Sequence, residues 1–228
     1  MREKFLVLRN RIDDLTAQAG RDDSVDILLA VKTHTSTTIR QAIEAGGHLI
    51  GHNRAQELVA TEPDLTDIEH ETHFIGMLQS NKVNQVLRHA TCVQSVHTTR
   101  LADRLNRAAN NRDTTLEVFV QVNTSGEETK SGVSPHQALE LAAYVGSLNN
   151  LRLRGLMTVG ANSTDPGVVR ASYEDLARLR QEILSSGETG TGDATELSMG
   201  MSQDLDIAIA AGATMVRVGS ALFGQRQY

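Results

Sequence analysis

The feature that most constrains this chain is a regular alternation of short apolar runs with amphipathic helical patterns. Eight runs have the length and composition of buried strands, and each is followed by a segment of helical periodicity. These predicted strands cover residues 27–31, 48–51, 73–76, 93–96, 116–122, 151–159, 196–199 and 215–218. Because repeated strand-then-helix units form parallel sheets with right-handed crossovers, eight of them predict a closed (β/α)8 TIM barrel.

A helical pattern over residues 1 to 19 precedes the first predicted strand, so the expected fold is α/β: a single barrel with an extra N-terminal helix. Cap-type residues introduce later helical patterns at Thr98, Ser134, Asp165 and Ser202. The Gly/Ser/Thr-rich segment 185–193 is interpreted as a surface loop, and residues 1–228 as one domain. The alternative is an open doubly wound sheet, but its glycine-rich first turn is missing after the first predicted strand.

Charge and cysteine content exclude several classes of protein. The net charge is −6 and the pI is about 5.7, which argues against nucleic acid as a partner because phosphate binding needs a basic face. A single cysteine, Cys92, allows neither an intrachain disulfide nor a thiolate metal cluster. The charged N-terminal segment is unlike a signal peptide, and no apolar run approaches membrane length. We therefore expect a soluble cytoplasmic protein without a membrane partner.

Lys32 ends the first predicted strand, where a turn residue would be more usual. Alternation places Leu28, Ala30 and Lys32 on one face of this strand and Leu29 and Val31 on the other. A lysine on the same face as core residues is partly desolvated, which lowers the pKa of its ammonium and favours the nucleophilic amine. That condition suits Schiff-base chemistry, although a lysine that simply reaches water is the plainer interpretation of this segment alone.

Glycine and serine follow each of the last two predicted strands, in the segments Ser198-Met199-Gly200-Met201-Ser202 and Gly219-Ser220. In (β/α)8 barrels a phosphate often binds between the loops after strands seven and eight. Glycine permits close approach of the backbone, and free N–H groups and serine hydroxyls can donate to the anion. Each motif alone is ordinary turn and cap chemistry, but the two together predict a phosphate site.

Arg217 alternates with Val216 and Val218, so we predict that it points into the barrel mouth. A buried arginine stays charged and needs an acceptor, which is either an internal carboxylate or a ring nitrogen or phosphate of a ligand. Together with Lys32 and the two phosphate segments, Arg217 indicates a phosphate-bearing aldehyde as cofactor.

Seven segments carry a resemblance to a known family, and they run in order along nearly the whole chain. They cover residues 28–33, 51–57, 73–82, 130–132, 153–157, 197–202 and 216–224. The most specific are His73-Phe74-Ile75-Gly76 and the Ser198–Ser202 segment. These segments closely resemble the pyridoxal phosphate homeostasis proteins, which are single-barrel relatives of the alanine racemase N-terminal domain.

The resemblance implies that Lys32 is the Schiff-base lysine for pyridoxal 5'-phosphate (PLP) and that Arg217 faces the pyridine nitrogen. Asn53 matches a position near the cofactor, with a helix cap as its alternative role. His52 departs from the family, which commonly has glutamate at that position. The implied cofactor-binding residues are Lys32, Asn53, Ser198, Gly200, Met201, Ser202, Arg217, Gly219 and Ser220.

The implied function is binding of PLP in intracellular homeostasis, with delivery to PLP-dependent apoenzymes, by a monomer without efficient turnover. The alternative is a PLP-dependent amino-acid racemase. Racemisation needs proton-transferring groups on both faces of the substrate carbon, and related two-domain racemases take the second from a tyrosine of a partner subunit. Here Tyr144 and Tyr173 lie in predicted outer helices and Tyr228 is terminal, so we expect negligible racemase activity.

A third hypothesis is a metal-dependent barrel hydrolase. His34, His52 and His97 each follow a predicted strand, where imidazoles could converge on zinc, but their spacing lacks a paired ligand motif. Surface or supporting histidines are the favoured interpretation, with no metal site. Lys82 is interpreted as a solvated helix lysine after the third strand and Lys130 as a loop lysine, rather than as cofactor attachment points.

Overall fold

The computed structural model describes residues 1–127 and 129–224. Its eight strands are parallel and close into a barrel in chain order, with β8 paired to β1. The predicted (β/α)8 TIM barrel is therefore confirmed, and each predicted strand is present. The strands are β1 (Asp26–Ala30), β2 (Leu49–His52), β3 (Glu71–Phe74), β4 (Cys92–Val96), β5 (Leu116–Gln121), β6 (Leu151–Met157), β7 (Glu196–Met201) and β8 (Met215–Val218).

Helices cover the outside of the barrel, and the extra N-terminal helix is confirmed as α1. The α-helices are α1 (Arg2–Gln18), α2 (Ser36–Glu44), α3 (Ala55–Thr61), α4 (Val83–Val86), α5 (Thr99–Asn110), α6 (Ala138–Gly146), α7 (Pro166–Ser185), α8 (Leu205–Ala210) and α9 (Ser220–Phe223). Short 3-10 turns occur at Glu62–Leu65, Ser80–Lys82 and Pro135–Gln137. Among the described residues, no helix combines the length and hydropathy needed to cross a membrane.

Two of the four predicted helix caps are confirmed. Thr98 accepts a hydrogen bond from the Leu101 N–H at 3.2 Å, and Asp165 accepts from the Gly167 N–H at 2.8 Å. Each satisfies a donor that the first turn of a helix leaves unpaired.

The other two predicted caps are wrong. The Ser134 hydroxyl donates to the Gln137 side chain at 2.8 Å, because a 3-10 turn replaces the first α-helical turn there. Helix α8 begins after Asp204, and the Ser202 hydroxyl instead accepts from the Ala221 N–H at 3.3 Å. Ser202 therefore connects two loops rather than starting a helix.

Strand alternation divides the core into two layers. Leu29 and Val31 belong to the large layer between barrel and helices. The barrel interior holds a smaller apolar cluster that includes Leu28, Phe119 and Met157. The predicted faces of β1 are thus confirmed, and the residues that share the face of Leu28 lead along the interior to the carboxyl ends of the strands.

Candidate functional site

Arg217 enters the barrel interior from β8 and is 7% exposed. Its Nη1 donates to the Ser198 carbonyl at 2.7 Å and to the Ser198 hydroxyl at 3.1 Å. Its Nη2 donates to the Thr158 carbonyl at 2.7 Å. The guanidinium is therefore fixed across the ends of β6, β7 and β8, and the predicted inward orientation is confirmed.

The charge of Arg217 has no carboxylate partner within the part of the chain that the structure describes. Burial lowers the pKa of Arg217, because desolvation penalises its charged form, yet an arginine does not lose its proton under ordinary conditions. Three hydrogen bonds use three of its five N–H donors, and Nε has no acceptor among residues 1–127 and 129–224. A buried cation in this state favours an electron-rich acceptor from a ligand.

The loops that follow β7 and β8 are joined to each other. The Ala221 N–H of α9 donates to the Ser202 hydroxyl of the β7 loop at 3.3 Å. The backbone N–H groups of Ser202, Gln203, Gly219 and Ser220 have no acceptor among the described residues. Such a group of unpaired donors on two adjacent loops suits an anion such as a phosphate.

The β7 loop is held in place by Asp204 and by a glycine. One oxygen of Asp204 accepts from the Met201 N–H at 2.6 Å, and the other accepts from the Tyr173 hydroxyl at 2.9 Å. Gly200 has a φ of +91°, and a Cβ there would lie 2.4 Å from Ala208. The loop conformation therefore requires glycine at this position.

Lys32 lies two residues beyond the end of β1, at the same end of the barrel as Arg217. The last residue of β1, Ala30, pairs with Gly51 of β2, and its carbonyl lies 3.2 Å from where a Cβ of Gly219 would stand. The end of β1 thus adjoins the β8 loop. Lys32 itself is exposed, so the expected desolvation of its ammonium by core residues is wrong.

Asn53 lies two residues beyond Gly51, level with Lys32 on the neighbouring strand. Its Oδ1 is buried and has no hydrogen-bond partner within the described residues. The alternative role as a helix cap is wrong, because Arg54 occupies the cap position of α3 and no side chain caps that helix. A buried acceptor without a donor leaves Asn53 available to a ligand.

Comparison with known proteins decides the family. The model of the alanine racemase N-terminal domain matches residues 7–227. A pyridoxal phosphate homeostasis protein of Pseudomonas aeruginosa is 42% identical over 227 residues, covering 99% of this chain and 96% of that protein. The chain belongs to the pyridoxal phosphate homeostasis protein family. The resemblance carried by the seven sequence segments is thereby confirmed.

Two solved structures are similar to this member of the pyridoxal phosphate homeostasis family. A protein of unknown function from Bifidobacterium adolescentis has a TM-score of 0.93 and 41% identity, covering 97% of this chain and 94% of that one. The PipY protein of Synechococcus elongatus with PLP bound has a TM-score of 0.83 and 31% identity, covering 98% of this chain and 99% of that one. The barrel is therefore the fold of this family.

His52, the departure from the family pattern, lies on the helix side of β2. Its Nε2 is 2.9 Å from Glu62, which also contacts His70 Nε2 at 3.0 Å and Thr72 at 3.0 Å. The imidazole points away from the barrel interior. It therefore does not contribute to the interior surroundings of Asn53. In this homeostasis protein His52 belongs to a buried ionic cluster behind the strands.

The histidines of the metal hypothesis do not converge. His34 stacks on Phe223 with ring centroids 4.2 Å apart, and His97 Nδ1 contacts the Ser95 carbonyl at 2.9 Å. Across the described ranges, no group of three or more His, Cys, Asp or Glu side chains has the arrangement of a metal site. Burial raises the pKa of the Cys92 thiol well above its usual value, which makes thiolate chemistry unfavourable.

The two other lysines of the family-like segments differ in their surroundings. Lys130 donates to Glu127 at 2.6 Å and to the Gly160 carbonyl at 2.7 Å, and so connects the loops after β5 and β6. Lys82 lines a cavity of about 600 Å³ at the barrel rim, together with Asn53 and Arg54. Lys130 is thus a loop lysine, as predicted.

Sequence reasoning missed three residues that support Arg217. Thr158 supplies a carbonyl acceptor, and Gln94 and His73 lie behind Ser198 in the barrel interior. Gln94 could have been noticed as one of two polar residues, with Ser95, inside the short predicted strand 93–96. The contact between His73 on β3 and Gln94 on β4 depends on the register of these two strands, which the sequence alone does not give.

Proposed function

We propose that this chain binds PLP at the carboxyl end of the barrel and acts in PLP homeostasis, holding the cofactor as a Schiff base on Lys32 and delivering it to apoenzymes. The observation that carries the proposal is the buried Arg217 guanidinium, which lies beside the loops after β7 and β8 and has no carboxylate partner among the described residues. The choice of ligand is supported by the PLP-bound structure of the Synechococcus elongatus relative.

The residues at the mouth fit the chemical groups of PLP. The unpaired N–H groups after β7 and β8 and the hydroxyls of Ser202 and Ser220 suit the phosphate. Ser198, Gly200, Met201 and Gly219 complete the proposed cofactor-binding set by shaping these loops and anchoring Arg217. Asn53 offers its buried acceptor just beyond the end of β2, level with Lys32.

Arg217 would face the pyridine nitrogen as a hydrogen-bond donor. Because the guanidinium does not give up a proton, that nitrogen would stay unprotonated, and electron withdrawal by the ring would be weaker. PLP supplies an aldehyde that combines reversibly with primary amines. A weak electron sink with a reversible lysine linkage suits storage and release better than carbanion chemistry.

The exposure of Lys32 supports delivery rather than turnover. An amine at the open rim is reachable by the aldehyde and by a second amine that displaces it. An enzyme of this class would instead exclude water from the reacting groups. A cytoplasmic location and a monomeric state stay predictions from the sequence.

Absorbance spectroscopy tests the proposal. Addition of PLP to the purified protein should produce a visible absorbance band, and borohydride reduction followed by peptide mapping should place the adduct on Lys32. The Lys32→Ala variant should lose the band and keep its fold, and Lys82→Ala is the matched control that should retain it. An unchanged band in Lys32→Ala would move the attachment point to another lysine and overturn this part of the proposal.

The racemase alternative lacks a second proton-transferring tyrosine among the described residues. The Tyr144 hydroxyl donates to Asp103 at 2.6 Å on the outer face, and the Tyr173 hydroxyl is bound to Asp204. Tyr228 lies outside the described residues. We therefore expect the protein with PLP to convert L-alanine to D-alanine no faster than free PLP, and steady conversion at a much higher rate would favour the racemase.

A further inference from the structure

A continuous chain of polar side chains runs through the barrel from the mouth to the base. We call it the core chain, and it consists of Arg217, Ser198, Gln94, His73 and Glu71. The links are Arg217 Nη1 to Ser198 Oγ at 3.1 Å, Ser198 Oγ to Gln94 Oε1 at 2.7 Å, Gln94 Nε2 to His73 Nδ1 at 2.7 Å and His73 Nε2 to Glu71 Oε1 at 2.7 Å.

The middle of the core chain is completely buried. Ser198, Gln94 and His73 each have 0% exposure, and the cluster around them consists of apolar residues such as Leu28 and Phe119. Barrel interiors are normally filled by branched apolar side chains. Buried polar groups are tolerated only when every one of them is hydrogen-bonded, so this chain depends on all its members.

The two ends of the core chain and the orientation of the Gln94 amide, whose Oε1 faces Ser198 and whose Nε2 faces His73, fix the direction of every hydrogen bond. The Arg217 guanidinium can only donate, and the Glu71 carboxylate can only accept. Ser198 must then accept from Arg217 and donate to Gln94 Oε1, and the Gln94 amide must donate to His73 Nδ1. His73 is consequently the neutral tautomer with its proton on Nε2, directed at Glu71.

We propose that Gln94 and His73 are positioning residues that hold the Arg217 guanidinium for its ligand. This inference rests on the proposed function, in which Arg217 faces the ring nitrogen of PLP. Gln94 and His73 fix the orientation of the Ser198 hydroxyl, and that hydroxyl presents its lone pair to Arg217 Nη1. The barrel interior thus sets one of the three hydrogen bonds that orient the guanidinium at the mouth, beside those to the Ser198 and Thr158 carbonyls.

Substitution of Gln94 should affect both of its hydrogen-bond partners, Ser198 and His73. The Gln94→Met variant keeps a similar volume but leaves the Ser198 hydroxyl without its acceptor and His73 Nδ1 without its donor. The hydroxyl is then free to rotate, so Arg217 loses a defined partner. The Met157→Leu variant is the matched control, since it changes the same interior apolar cluster beside Ser198 and removes no hydrogen-bonding group of the core chain.

The first experiment compares stability with PLP affinity. We expect Gln94→Met to weaken PLP binding about tenfold and to lower stability, because two buried groups are left unpaired. Adding His73→Leu removes one of those unpaired groups, so stability should recover while affinity stays low. Parallel recovery of stability and affinity would indicate a purely structural role and overturn the proposal.

The second experiment needs no cofactor and remains decisive if the protein does not bind PLP. Nitrogen-15 NMR of the protein without added ligand should show His73 as the Nε2–H tautomer. The Arg217→Met variant, changed three links away, should shift the His73 ring signals, whereas Met157→Leu should leave them in place. A His73 protonated on Nδ1, or signals indifferent to Arg217→Met, would overturn the core chain as a connected unit.

Discussion

The barrel holds an inward arginine near each end, and the two have opposite surroundings. Arg154, at the base, donates to Glu71 at 2.9 Å and to Glu117 and Glu196 at 2.6 Å each. Arg217, at the mouth, donates to two carbonyls and one hydroxyl. The charge of Arg154 is neutralised by the protein itself, whereas no carboxylate of the described residues pairs with Arg217, whose charge is therefore available to a ligand. An inward arginine is therefore a binding residue only when the fold leaves its charge unpaired.

Cavity size alone does not distinguish the two ends, because the cavity of about 600 Å³ at the rim is only slightly larger than those at the base. Cavities of about 500 and 560 Å³ open at the base, and both are lined by Glu71 and Arg154. Three of their carboxylates, those of Glu71, Glu117 and Glu196, are already bonded to Arg154, and hydrogen bonding from His73 lowers the pKa of Glu71. In barrels of this architecture the base contributes stability and the carboxyl end carries the site. Charge compensation separates the two ends more clearly than volume does.

Removing Arg154 should have the largest effect on stability. The Arg154→Met variant leaves three partly buried carboxylates without their cation, so we expect the free energy of unfolding to fall by roughly 3 to 4 kcal/mol. Urea denaturation measures this loss. The control is Arg152→Met, which removes an exposed arginine 3.6 Å from Glu117 and should cost less than about 0.5 kcal/mol. Equal losses in both variants would contradict the assignment of Arg154 as the central cation of the base.

Glu62 is a third buried charged residue, and its pKa makes the stability of the fold depend on pH. Burial alone would raise the pKa of Glu62, but hydrogen bonds from His52 and His70 lower it to about 2, from an ordinary 4.5. A lowered pKa contributes stability that is present above 4.5 and lost as the pH falls towards 2.

We expect about 2 to 3 kcal/mol of unfolding free energy to disappear over that pH range, and the Glu62→Gln variant to lack this loss. Unfolding curves recorded between pH 5 and pH 2 would measure it. The control is Glu69→Gln, which changes an exposed neighbour. Its unfolding free energy should depend on pH as that of the unmodified protein does. If Glu62→Gln keeps the full acid sensitivity, other carboxylates account for it.

The fold was predictable because its signal is local and repeated. Apolar runs such as 27–31 and 215–218 mark strands by themselves, and right-handed parallel connection then leaves few topologies. The inward direction of Arg217 followed from alternation with Val216 and Val218 alone. Helix starts were less certain, as Ser134 and Ser202 illustrate, because a hydroxyl can bond to several nearby groups and the sequence does not say which.

The sequence alone did not predict which charged side chains pair across the barrel. Arg154 and Arg217 look alike as arginines within strands, and only the closed barrel places Glu71, Glu117 and Glu196 around the first. The exposure of Lys32 also depends on how the β1 loop leaves the barrel, which strand alternation does not determine. The sequence therefore predicted where the candidate site lies, while the partners of each charge required the structure.

Replacing Arg217 should separate ligand binding from stability. The Arg217→Met variant loses its hydrogen bonds to Ser198 and Thr158, but it also removes a buried charge that has no carboxylate partner among the described residues. Because these two effects offset each other, the free energy of unfolding should change by less than about 1 kcal/mol. PLP affinity should fall about thirtyfold, because a charge-assisted hydrogen bond to the ligand is lost. Titration of PLP absorbance and urea denaturation on the same variant measure both quantities. A large stability loss with unchanged affinity would make Arg217 a structural residue like Arg154.

The smallest effect should come from the Ser202 hydroxyl, which bridges the β7 and β8 loops. Because this hydroxyl accepts from the Ala221 N–H at 3.3 Å, its own proton is free to point at an anion between the loops. We expect Ser202→Ala to weaken PLP binding about fivefold, as one hydrogen bond to a charged group is lost. Pyridoxal, which has no phosphate, should bind equally to both proteins. A matching loss for pyridoxal would show that Ser202 contacts another part of the ligand, and the phosphate would then need a different location from the end of β7.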